Sequence, residues 1–122
     1  MSYPLIDHLD KVRRAVEEAK GPFTIFVLFR RADTNDLDLV VSAPWLESEK
    51  LEGLGFLSKQ VFSDDLSRAG WTRIAHIVTL NESDSRLKAI RDAFGPADGL
   101  RVIDHPKISG LDLEEAFVMR SS

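Results

Sequence analysis

The sequence predicts an α/β protein in which a mixed sheet of about five strands forms a two-layer or three-layer sandwich with three to four helices. Segments with helical spacing alternate along the chain with segments typical of strands, and two of the strands are apolar enough to be central. The chain has 122 residues, which fits a single domain over residues 1–122. A chain of this length buries about two thirds of its unfolded surface around one core.

The first element is an amphipathic helix over residues 5–20. Its apolar stripe consists of Leu5, Leu9, Val12, Val16 and Ala19. Gly21-Pro22 ends the pattern. We expect the stripe to pack on one face of the sheet, because no other apolar surface is available to bury it.

Two strands joined by a short polar connection are predicted next. Residues 23–29 form a continuous apolar run, so this strand should be buried on both faces and central in the sheet. Residues 36–43 should pair with it antiparallel across the polar connection. Pro44 ends the second strand, because proline donates no ladder hydrogen bond and disfavours helix in the residue before it.

A helix is predicted over residues 47–62. Its helical spacing is carried by Leu51, Leu54, Leu57 and Val61. Gly53 and Gly55 each cost a helix interior about 1 kcal/mol relative to alanine, so they indicate a break or a close backbone approach. A short helical turn that begins near residues 63–65 is expected to end at Gly70.

A third strand is predicted over residues 71–80, where side chains alternate. Its apolar second half favours a central place in the sheet. A helix follows, with Asn81 or Ser83 as its N-cap and Gly95-Pro96 at its end. Its core-facing residues should be Leu87, Ile90 and Phe94.

The last two strands should form a hairpin. Residues 100–104 are a short strand that His105-Pro106 stops. Residues 111–119 form its partner, because apolar residues alternate in the second half and Gly110 suits the turn. Residues 113–116 would also tolerate a helix.

Composition excludes several classes of function. The chain has no cysteine, which rules out disulfides, thiolate metal sites and cysteine nucleophiles. A net charge of -4 argues against nucleic acid as a partner. No apolar run approaches the ~20 residues of a membrane span, and residues 1–10 do not resemble a secretory signal, so we expect a cytoplasmic protein.

Familiar catalytic and cofactor motifs are not found in the sequence. It contains no glycine-rich phosphate loop, zincin helix or helix-turn-helix signature. The three histidines, His8, His76 and His105, are too scattered to predict a metal-ligand set. We therefore predict no catalytic residue, no metal and no cofactor, and we expect His76 to be a core or edge residue of its strand.

The strongest chemical candidate is the pair Asp36 and Asp38 at the start of the second strand. Two carboxylates one pleat apart can jointly hold a divalent cation, as phosphoryl and nucleotidyl transfer require. Arg30 and Arg31 lie just across the predicted turn. In the structural alternative Asp36 is a solvated turn residue. Asp38 would then form an ion pair at a strand edge with Arg30, Arg31 or Arg73.

Residues 5–41 resemble the nucleotidyltransferase superfamily. In that superfamily a helix leads into a strand, and a later strand carries Asp-x-Asp before apolar residues. The matching residues here are Asp36-Leu37-Asp38-Leu39-Val40-Val41. The resemblance implies nucleotide and Mg²⁺ binding through Asp36 and Asp38. The superfamily also has a Gly-Ser pair after its first strand, where this chain has Phe-Arg-Arg, and a third carboxylate on a later strand, where this chain offers only His76. Residues 38–46 are also similar to small uncharacterised bacterial proteins, which implies a bacterial origin but no activity.

Trp45 is the candidate contact residue. Pro44 should carry it to the rim of the sheet, where it would form an apolar patch with Leu46 that a partner chain covers, most simply in a homodimer. Alternatively, the helix from Glu47 folds back and covers Trp45 within the chain.

The leading hypothesis is a non-catalytic interaction or regulatory domain that docks to a protein partner or to itself through the Trp45 region or an exposed strand edge. The competing hypothesis is a diverged nucleotidyltransferase-like protein that binds a nucleotide with Mg²⁺.

Overall fold

A computed structural model describes residues 4–32, 36–61, 74–106, 108 and 113–121. It confirms the α/β class, with four helices and a five-stranded mixed sheet among these residues. The helices are α1 (Pro4–Lys20), α2 (Pro44–Glu49), α3 (Leu51–Val61) and α4 (Ser85–Phe94). The strands are β1 (Ile25–Arg31), β2 (Leu37–Ser42), β3 (Ile74–Thr79), β4 (Ala97–Asp104) and β5 (Leu113–Ser121). The turn expected over residues 63–70 lies outside the described residues.

The sheet has the strand order β3-β2-β1-β5-β4. The apolar strand β1 is therefore central, as predicted, and it pairs antiparallel with both β2 and β5. β4 and β5 form the predicted antiparallel hairpin, which decides for strand over helix at residues 113–116. β3 is the exception, because it pairs parallel with β2.

The prediction that β3 is central in the sheet is wrong, because β3 lies at one edge. Its apolar residues are covered from the two faces instead. Ile77 packs on one hydrophobic core and Val78 on the other, and both stay partly exposed. An apolar strand thus indicates that its faces are covered, and this does not require a neighbouring strand on each side.

Helices cover both faces of the sheet, so the molecule has three layers. α1, α2 and α3 pack on one face, called here the helix-rich face, and α4 packs on the other, called the α4 face. Strand residues buried on the helix-rich face include Phe26, Leu28, Leu39, Val41, Phe117 and Met119. Those buried on the α4 face include Ile25, Val27, Phe29, Val40, Ala116 and Val118. Among the described helices, none has the length and hydropathy of a membrane span.

The predicted apolar stripe of α1 packs on the sheet. Its buried members in the structure are Ile6, Leu9, Val12 and Val16. Ala19 is exposed, because it lies in the last turn of the helix. The side chain of Leu5 lies outside the described residues.

The helix predicted over residues 47–62 starts earlier and is broken. α2 begins at Pro44, which suits a first helical position because its missing N–H has no partner there. The break falls at Lys50, whose φ of 52° and ψ of -120° are outside the helical region. Gly53 instead allows close packing of α3 on α2, since a Cβ there would lie 3.1 Å from the Cβ of Glu49.

α4 is capped by Asp84, and not by Asn81 or Ser83 as predicted. The Asp84 carboxylate accepts a hydrogen bond from the backbone N–H of Arg86 at 2.8 Å. The three predicted core residues of this helix, Leu87, Ile90 and Phe94, are buried. Gly95 follows with a φ of 67°, a conformation that favours glycine.

Candidate functional site

Three polar side chains from neighbouring strands meet on the α4 face. Arg31 donates from Nε to Oδ2 of Asp38 at 2.8 Å, and its Nη2 lies 2.7 Å from the same oxygen. The Nδ1 of His76 lies 3.2 Å from Oδ1 of Asp38. Each carboxylate oxygen of Asp38 therefore contacts a different partner. We call this group the Arg31–Asp38–His76 cluster.

Strand register brings the cluster together. Asp38 lies opposite His76 in the parallel β2–β3 pair, and Arg31 ends the neighbouring strand β1. The Asp38 side chain is only 13% exposed, whereas that of His76 is 62% exposed. The Asp38 carboxylate is thus largely buried, whereas the His76 imidazole faces solvent.

The cluster orients an imidazole, which is its main chemical capability. If His76 donates from Nδ1 to Asp38, the proton is fixed on that nitrogen and Nε2 keeps a lone pair toward solvent. Such an imidazole can accept a proton. A divalent cation on Asp38 would first have to displace Arg31 or His76, so the geometry supports the structural alternative for this acid. Across the described residues, histidine and acidic side chains form no group of three that could hold a metal ion.

The other charged candidates do not join the cluster. Arg30 points to the opposite, helix-rich face, because neighbours on a strand alternate, and it pairs there with Glu115 of β5. Asp36 lies just before β2 and is partly exposed, and its carbonyl accepts the N–H of Arg31 at 2.9 Å. β2 begins only at Leu37, so Asp36 lies before the strand whose alternation was expected to place it beside Asp38.

The prediction that Trp45 is an exposed contact residue is wrong. Its indole is 9% exposed and packs edge-to-face on Phe23, with ring centroids 5.6 Å apart. A Cβ at Gly53 would lie 3.4 Å from the indole, so α3 closes directly over it. The structure therefore shows the alternative arrangement, in which the chain folds back after Glu47 and α3 covers Trp45 within the same chain.

Exposed apolar side chains occur on the β4 edge instead. Leu100 is 45% exposed and Val102 is 44% exposed. Val102 lies opposite Phe117 of β5, so it faces the helix-rich side of the sheet, and Leu100 lies in the register shift between Asp98 and Arg101. We call Leu100 and Val102 the β4 patch.

The sequence predicts His76 as a core or edge histidine, and the structure places it on the edge strand β3. Its contact with Asp38 and the β4 patch are not predicted, because nothing in the sequence shows which strand β3 pairs with. The patch had a weak signal, since Leu100 and Val102 are apolar residues two apart and so share one face of a short strand. No family model, curated protein or solved structure matches the chain.

Proposed function

We propose that the chain is a non-catalytic interaction domain of the cytoplasm that pairs with a second copy of itself through the β4 edge. The observation that supports this most directly is the β4 patch. An exposed apolar patch on an edge strand is a common feature of surfaces that pair with another chain. Leu51 is the other large exposed aliphatic residue among those described, and it lies on α3.

The surroundings of the patch resemble the centre and rim of a protein interface. Phe117 continues the apolar surface inward from Val102. Charged groups flank Phe117 along β5: Glu115 pairs with Arg30 on one side, and Arg120 lies 3.9 Å from Glu17 on the other. An apolar centre with a charged border is the usual composition of a specific contact between folded proteins.

Backbone geometry supports pairing between two sheet edges. Among the described strands β4 pairs only with β5, and none of them covers its outer N–H and C=O groups, which suits pairing with the edge of another sheet. Arg101 does not lie over the patch, because its Nη1 donates to the carbonyl of Phe94 at 2.9 Å on the α4 face. A twofold axis beside β4 would use the same surface on both copies, the commonest arrangement in dimers.

Sedimentation equilibrium at micromolar concentration tests this proposal. We expect the native chain to be a dimer and the double variant Leu100→Ser/Val102→Ser to be a folded monomer. Leu51→Ser is the matched control, because it removes a more exposed leucine that lies outside the β4 patch, and it should remain a dimer. A monomeric native chain, or a double variant that stays dimeric, would contradict the proposal.

Cross-linking locates the contact independently. The native chain has no cysteine, so a single introduced cysteine can form only an intermolecular disulfide. Val102→Cys should cross-link on mild oxidation, because residues near a twofold axis bring their Cα atoms within the ~4–7 Å that a disulfide needs. Leu51→Cys should stay monomeric on a non-reducing gel. Equal cross-linking of both variants would show random collision.

Nucleotide binding is the competing proposal, and the geometry supports it less. Asp38, the better placed acid, already contacts Arg31 through one oxygen and His76 through the other. Thermal denaturation with ATP, GTP and Mg²⁺ distinguishes the two functions, because a ligand at a hundred times its Kd stabilises a fold by about 2.7 kcal/mol. A shift that Asp38→Asn abolishes would favour nucleotide binding over the interaction domain.

A further inference from the structure

A cavity of about 470 Å³ lies at the carboxyl ends of β2 and β3. These two strands are parallel, so both carboxyl ends meet at the same end of the sheet. In open α/β sheets, ligands bind in the crevice outside the carboxyl ends of the strands. The volume also falls in the range of about 300–1,000 Å³ that is typical of small-molecule sites.

One part of the cavity wall is apolar. It is formed by Leu46, Leu51, Leu54 and Leu80. Leu51 is 82% exposed, the highest value among the large hydrophobic residues described. A leucine in this position would be covered by an apolar group that occupies the cavity.

The other part of the wall carries hydrogen-bond donors and one cation. Thr79 and Asn81 line the cavity from the end of β3, and Lys50 lines it from the junction of α2 and α3. Among the described residues, no hydrogen bond or ion pair engages the Lys50 ammonium. Glu47 also lines the cavity, but its Oε1 accepts the backbone N–H of Glu82 at 3.2 Å.

The backbone of Lys50 is a second, independent indication. Its φ of 52° and ψ of -120° lie where glycine is favoured and a side chain is strained. Residues held in such sparsely populated conformations cluster at active sites, ligand clamps and switch regions. Here that side chain is the cation of the cavity.

We propose that this cavity binds a small amphipathic carboxylate, such as a medium-chain fatty acid. The alkyl chain would lie against the four leucines, and the carboxylate would accept from the Lys50 ammonium, the Thr79 hydroxyl and the Asn81 amide. The site lies beside β3, at the edge of the sheet opposite β4, so it is separate from the surface proposed for self-association.

Titration with sodium octanoate, followed by amide chemical shifts in ¹H–¹⁵N spectra, tests the site. Shifts should concentrate at Lys50, Leu51, Thr79 and Asn81 and should saturate. 1-Octanol, which has the same chain without the charge, should bind at least about tenfold more weakly, because a charge-assisted hydrogen bond is lost. Shifts scattered over the surface, or equal affinity for octanol and octanoate, would overturn the proposal.

Substitutions test whether octanoate binding depends on the charge of Lys50. Lys50→Met keeps the stem but removes the charge, and it should weaken octanoate binding at least about tenfold. Lys88→Met removes an exposed ammonium from α4, on the other face of the sheet, and should bind octanoate as the native chain does. Unchanged affinity in Lys50→Met would contradict the proposal, and the octanol comparison on the native chain decides the matter even if that variant does not fold.

Discussion

Replacing Lys50 with glycine should make the fold more stable. Lys50 joins α2 to α3 with a φ of 52° and a ψ of -120°. A residue with a side chain pays about 1–3 kcal/mol to hold such a sparsely populated conformation. Glycine adopts it without steric cost, because it has no Cβ.

The expected gain is the strain that is relieved minus the entropy that glycine adds to the unfolded chain. That entropy cost is about 0.5–1 kcal/mol. The backbone N–H of Lys50 donates to the carbonyl of Leu46 at 2.8 Å, and glycine keeps this bond. The net gain should be about 1 kcal/mol, which raises the Tm of a domain of this size by about 3–5 °C.

Circular dichroism melts and urea denaturation at neutral pH measure the effect. Lys50→Ala is the control, because it removes the same ammonium but keeps the strained backbone, and it should not raise the Tm. If Lys50→Gly melts at or below the native temperature, the backbone is not strained in the way argued. If alanine stabilises as much as glycine, the gain comes from the lost charge.

Two further predictions concern the packing of α2 and the cap of α4. Trp45→Ala should destabilise the fold by about 3–5 kcal/mol in urea denaturation, because the indole is buried against Phe23 within the chain. Trp45→Phe, the control, should cost much less stability. A small loss of stability in Trp45→Ala would contradict the packing of the indole on Phe23. The hydrogen bonds from the Arg86 side chain and backbone N–H lower the pKa of Asp84 below its ordinary 3.8. Asp84 therefore contributes stability above pH 3.8 that is lost as the pH falls through its lowered value, so Asp84→Ala should lower the Tm at pH 7 but not at strongly acidic pH. Asp84→Asn keeps the cap acceptor and serves as the control, and a loss in Asp84→Ala that is the same at both pH values would contradict the assignment.

Elements with a local signal could be predicted from the sequence. The stripe of α1, the apolar run of β1 and the alternation of β2 are each contained within one segment, so spacing alone indicates the element and its buried face. The β4–β5 pairing was also predictable, because two strand-like segments are close in the sequence and Gly110, a residue that favours turns, stands between them. These features place β1 at the centre of the sheet without any knowledge of the other contacts.

The break between α2 and α3 and the burial of Trp45 could not be predicted in this way. A lysine with positive φ has no sequence signal, since the usual signal for that conformation is glycine. Gly53 and Gly55 predict either a break or a close backbone approach, and the structure confirms the close approach at Gly53, where α3 packs on Glu49 and Trp45. Because the break falls at Lys50, α3 folds back over the indole of Trp45. The unpredicted position of this break therefore also explains why the predicted exposure of Trp45 is wrong.

The parallel pairing of β3 with β2 explains both polar sites that the sequence did not predict. A parallel pair brings the two amino ends together at one end of the sheet and the two carboxyl ends together at the other. At the amino ends this sets Asp38 of β2 beside His76 of β3, although 38 positions separate them in the chain. At the carboxyl ends it opens the cavity between α2, α3 and Thr79. Because pairing partners depend on tertiary contacts, residue spacing alone could not show that the acid has a histidine partner or that the lysine faces a cavity.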